Sequence, residues 1–184
     1  MARSDAVRNQ QALVRAATAA VHREGVGVPL ATIAADAGVG IGTLYRHFPT
    51  REDLLTYLTH ASFERVLANV TAAEIDGATG ADALGRFIEA AISQREELVL
   101  PLHGGPPASS DSTVGVRERI HRIIQRIIER GRADGSITSD VTPRDIVVFG
   151  SVLAQPGPPL PDWDATCRRL LATYLAGLGC RLAP

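Results

Sequence analysis

Seven consecutive residues, Gly42-Thr43-Leu44-Tyr45-Arg46-His47-Phe48, combine two side chains for anchoring a helix with several for meeting a ligand. At 3.6 residues per turn, Leu44 and Phe48 share one helix face. Arg46 points away from them, with Gly42 and Thr43 beside it. The outer face is therefore small, polar and cationic. It suits a helix laid in a DNA major groove, where bulk blocks approach and an Arg fork matches the O6 and N7 acceptors of guanine. Arg46 is the first candidate for such base readout; a phosphate contact or a solvated guanidinium is the alternative.

Such a face needs elements to hold it. Residues 8–24 carry Leu13, Val14, Ala17, Ala20 and Val21 as an apolar stripe, which predicts a first helix stopped by Gly25 and Gly27. Pro29 opens a second helix, with Ile33 and Ala37 turned inward. Gly38 sits where that helix must end, because Gly enters the left-handed conformation without a Cβ penalty, and Val39 pins the turn. A third helix spans about 41–48 and breaks at Pro49-Thr50. Thr50, with Glu52 and Asp53, starts a fourth that runs to about Ala73 and links the two halves of the chain.

This stretch resembles the TetR (tetracycline repressor) family of bacterial regulators. The residues that carry the resemblance are Gly25, Ile33-Ala34, Ala37-Gly38-Val39, Gly42-Thr43-Leu44-Tyr45, His47-Phe48, and Arg51 before Leu54-Leu55. The match covers roughly residues 8–58; beyond it, only length and helical character agree. The resemblance implies that Tyr45 and His47 touch the phosphate backbone and that Thr43 lies at the groove wall. Such contacts set register without reading sequence. Arg51 stands where the family usually has Lys and is expected on a phosphate. Thr32, at the exposed start of the second helix, is a weaker phosphate candidate. Ile41 departs from the polar or basic residue common at its position. It either touches a thymine methyl or caps the small core, and the core role is the preferred expectation.

The remainder reads as helices separated by breakers. Asp76 to Gly80 turns the chain; Leu84, Phe87, Ile88, Ala91 and Ile92 form the next stripe; Pro101 to Ser112 is a Pro/Gly/Ser loop. A helix over about 113–133 has Ile120, Ile123, Ile124, Ile127 and Ile128 on one side. Arg119, Arg122, Arg126 and Arg130 form a ridge on the other, the pattern of a solvated amphipathic face. Thr142-Pro143-Arg144-Asp145 is a strong helix start, a Thr cap with Pro at the first position and an acid three residues after the cap. A Pro-rich break at 155–161 precedes a last helix over about 162–181.

The chain has 184 residues, 45% of them hydrophobic, and a formal net charge of −1. Residues 1–55 hold six Arg against five acids, so placement of charge matters more than its sum. Every basic residue is Arg. Cys167 and Cys180 match no zinc spacing and are expected as free buried thiols. No signal-peptide pattern, membrane-length apolar run, paired-His motif, Walker lysine or Gly-x-Ser-x-Gly elbow is present. The expectation is a cytoplasmic protein that is not an enzyme and needs no metal or cofactor.

These readings predict an all-α fold of about nine helices, with a helix-turn-helix head over residues 1–48 and a ligand-binding and dimerisation body over 49–184. The resemblance implies a repressor that binds operator DNA as a homodimer and is released by a small molecule. Apolar residues of the last two helices, Ile146, Phe149, Val152, Leu170, Leu171, Tyr174 and Leu178, are the expected dimer interface. Phe87, Phe149 and Trp163 are nominated for the ligand pocket. The alternatives are an enzyme or small-molecule carrier on the same scaffold, or an interaction module using the ridge from Arg119 to Arg130.

Overall fold

The structure is a computed structural model that describes residues 2–157 and 161–179. Among these residues there are eight α-helices and no strand: α1 (Ala2–Glu24), α2 (Leu30–Asp36), α3 (Ile41–His47), α4 (Arg51–Asp76), α5 (Gly80–Ser93), α6 (Asp111–Ala133), α7 (Pro143–Leu153) and α8 (Trp163–Leu178). Eight helices among the described residues agree with the expected all-α fold of about nine. Between α5 and α6 the chain makes only two 3-10 turns, Arg95–Glu97 and Pro101–His103. Pro101, Pro106 and Pro107 lack amide donors there, and Gly104 takes φ of +79°, so no α-helix is sustained.

The chain divides into two compact units, Met1–Phe63 with Glu96–Thr113, and Glu64–Arg95 with Val114–Pro184. The division differs from the cut expected at residue 48. The reason is packing: Leu54 and Leu58 of α4, and Val99, are buried in the same core as Leu13, Ala17, Ile33, Leu44 and Phe48. The first half of α4 is thus part of the first unit, and α4 continues as one helix into the second.

In the second unit α5 packs against both α7 and α8. Glycines permit the closest approaches. A Cβ on Gly85 would meet Leu175 at 2.8 Å, and one on Gly80 would lie 2.2 Å from the Cα of Gly131. Caps fix the helix starts. Thr142 and Asp145 form the predicted capping box on α7. Thr79 caps α5, assisted by Asp134 and Ser136, which accept from the amides of Gly80 and Ala81 at 2.8 and 3.1 Å. Cys167 is a free, buried thiol; Cys180 lies outside the described residues.

Candidate nucleic-acid interface

The turn between α2 and α3 is built by backbone hydrogen bonds that the sequence encodes through Gly38. Its φ is +69°, its amide donates to the Ala35 carbonyl, and the amide of Val39 donates to Ala34, each at 3.0 Å. This is the paired 6→1 and 5→2 arrangement that satisfies a helix's last carbonyls. Gly40, in extended conformation, then starts α3, its carbonyl accepting from Thr43 at 2.9 Å. Leu44 and Phe48 are buried, so the orientation of α3 is set by core packing, and the edge of Phe48 meets Tyr57 with ring centroids 5.3 Å apart.

That anchoring turns the other face outward. Gly42, Tyr45 and Arg46 are exposed, and Thr43 and His47 are half-buried. A Cβ built on Gly40 or Gly42 would meet nothing within 4 Å, so the tip of α3 is open to a large partner. Ile41 is 42% exposed and does not cap the head core, contrary to the preferred expectation. The buried residues of the cluster close that core without it. Thr32 is half-buried on α2.

Arg51 has a partner that sequence reasoning missed. Its Nη1 donates to the carbonyl of Val26 at 3.1 Å and also to that of Val28. The expected phosphate ligand therefore ties the start of α4 to the loop between α1 and α2. Loop carbonyls carry no residue-type signal, which is why such a pairing is invisible in sequence. At the start of α4, Thr50 and Asp53 exchange side chain-to-amide bonds at 3.0 Å in both directions, a capping box.

Phe87, Phe149 and Trp163, nominated for the pocket, sit in different settings. Phe87 is buried on α5. Phe149 stacks on Tyr174 with centroids 3.9 Å apart, joining α7 to α8. Trp163 lies against Gly157, and its buried Nε1 has no hydrogen-bond partner among the described residues. The interface candidates separate by burial. Ile146, Leu171 and Leu178 are inside the protomer's own core and present no surface, because one side of each helix must face α5. Val152 and Leu170 are 55% and 49% exposed, as is Val148, at 45%, which sequence reasoning passed over.

Two arginines of the ridge on α6 are engaged by neighbouring elements while Arg126 stays exposed. Arg126 grips the Glu74 carboxylate with two bonds of 2.8 Å, and Arg130 donates to the carbonyls of Glu74 and Thr79 at 2.8 and 3.2 Å. These two arginines join α6 to the end of α4 and to the turn before α5, which removes support from an interaction module built on the ridge.

A short helix held by a glycine turn, with an open outer face carrying Arg46, defines a helix-turn-helix DNA-binding transcriptional regulator. Residues 13–58 match the family described as "Bacterial regulatory proteins, tetR family". The TetR transcriptional regulator SCO0520 from Streptomyces coelicolor is 30% identical to this chain over 91% of it and 97% of that protein, with a TM-score of 0.61. The chain belongs to the TetR family. The repressor KstR of Mycolicibacterium smegmatis is 26% identical over 142 residues, 74% of this chain and 70% of KstR. AibR, solved with isovaleryl coenzyme A and operator DNA, shares the fold at 16% identity, with a TM-score of 0.70 over 93% of this chain and 97% of AibR.

Proposed function

We propose that this regulator is a repressor that binds a near-palindromic operator as a homodimer, α3 of each protomer entering the major groove, and that a small molecule bound in the second unit releases it. The domain reading is that α1–α3 with the start of α4 form the DNA-binding head, and the rest the ligand-binding and dimerisation body. The observation that carries this reading is the exposed face of α3: Gly42 and Arg46 stand outward while Leu44 and Phe48 are locked in the core. In this reading Arg46 meets a base edge, Tyr45, His47 and Thr43 meet phosphate and groove wall, and Thr32 adds a backbone contact. We read the chain as a regulator rather than an enzyme, acting in the cytoplasm where operator DNA lies.

Release by ligand requires only that the ligand prefer one of two dimer shapes. AibR, as a protein seen with both a coenzyme A ester and operator DNA, supports a ligand-responsive reading of this fold. The continuous α4, which contributes to both compact units, is the element suited to carry the change. The test is selection of binding sites from random duplexes. One palindromic consensus is expected, and Arg46→Ala should weaken binding at one position per half-site by about 1–3 kcal/mol. Equal loss on specific and random DNA would assign Arg46 to phosphate; absence of any consensus would refute the reading.

A further inference from the structure

One flank of α3 carries an apolar pair that the protein's own core does not use. Ile41 and Tyr45 are one turn apart and 42% and 49% exposed, whereas Leu44 and Phe48, the anchoring residues of the same segment, are 0% and 3% exposed. Ile41 is the first residue of the helix. Its neighbours Gly40 and Gly42 carry no side chain and have open space where one would stand, so neither covers the branched side chain at the tip. An exposed Ile there does little for folding. It is not part of the buried cluster around Leu44 and Phe48, and its β-branched side chain is a poorer helix former than straight-chain residues.

The first residues of a helix seated in the major groove are those that meet base edges. Among the groups the four bases present in that groove, the apolar one is the C5-methyl of thymine. A polar residue at position 41 would seek a donor or acceptor; an aliphatic one leaves those unsatisfied and gains only by covering a methyl. We propose that Ile41 reads a thymine methyl in each half-site and thereby sets operator preference at a position distinct from that met by Arg46. This inference rests on the DNA-binding reading above.

The experiment replaces each thymine of the selected site in turn by deoxyuridine, which keeps the O4 acceptor and lacks the methyl. With the wild-type protein, one such position per half-site should weaken binding about fourfold, the effect of burying one methylene-sized group. With Ile41→Ala the same replacement should change nothing, and this variant should bind the thymine site about as weakly as wild type binds a site with uracil at that position in both half-sites. Because Ile41 lies outside the buried core, the variant should keep its helical circular dichroism and melting temperature. Equal wild-type affinity for thymine and uracil at every position overturns the proposal. So does a uracil penalty that persists in Ile41→Ala, which would place another group on the methyl. Failure to select any site is a different result and refutes the DNA-binding reading itself.

Discussion

Arg51 illustrates how one guanidinium can be claimed by two roles. Its charge and position at the start of α4 suit a phosphate, yet its Nη1 is spent on two loop carbonyls. Removing it leaves those acceptors to solvent and loosens the loop between α1 and α2. Arg51→Ala should therefore lower the stability of the protein by about 1–2 kcal/mol, in the range for a hydrogen bond from a charged group in a partly exposed setting. Chemical denaturation would measure this. Held on the loop, Arg51 should contribute little to the salt dependence of DNA binding, because only a cation placed on a phosphate displaces counterions from the DNA. A slope lowered by about one unit would mean that a phosphate is contacted as well.

Glycine positions make the argument at the scale of elements. Gly80 and Gly115 both lie in helices, where replacement by Ala ordinarily stabilises by roughly 0.5–1 kcal/mol. Their surroundings decide otherwise for one of them. A Cβ on Gly80 would lie 2.2 and 2.4 Å from the Cα and N of Gly131, backbone atoms that cannot swing aside, whereas one on Gly115 would meet nothing. Gly80→Ala should destabilise by about 1–3 kcal/mol or more, as overpacking does, and Gly115→Ala should stabilise. Thermal unfolding distinguishes them, since about 1 kcal/mol moves the midpoint of a chain this size by roughly 2–4 °C. The close crossing of α5 and α6 would be wrong if both substitutions raised it.

For the whole molecule, we propose that the exposed apolar residues Val148 and Val152 on α7 and Leu170 on α8 meet a partner subunit. Leu170→Glu adds a charge where the single protomer has solvent, so the variant should fold. In the dimer the same charge would be buried unpaired, at a cost of several kcal/mol. Sedimentation should show a folded monomer with lost operator affinity, because one head alone makes half the contacts. Leu171→Glu, by contrast, puts the charge into the protomer's own core and should unfold it. A Leu170→Glu protein that remains dimeric would place the interface elsewhere.

Local signals were sufficient for the helix-turn-helix and for most helix boundaries. A glycine forced to positive φ at Gly38, a Thr-x-x-Asp cap at Thr142, and i, i+4 pairs such as Leu44 and Phe48 each act within a few residues, so their consequences are written in spacing alone. What spacing cannot express is which of several apolar residues on a helix a distant element covers. Ile146, Leu171 and Leu178 carry the same interface signature as Val152 and Leu170, and only the packing of α7 and α8 against α5 separates the buried set from the exposed one. The same holds for Ile41, which its place at the open tip of α3 leaves partly in solvent, and for Arg51, whose partners are backbone carbonyls more than twenty residues away. Periodicity determines that a face is apolar; the tertiary fold decides what it meets, because burial depends on neighbours remote in the chain.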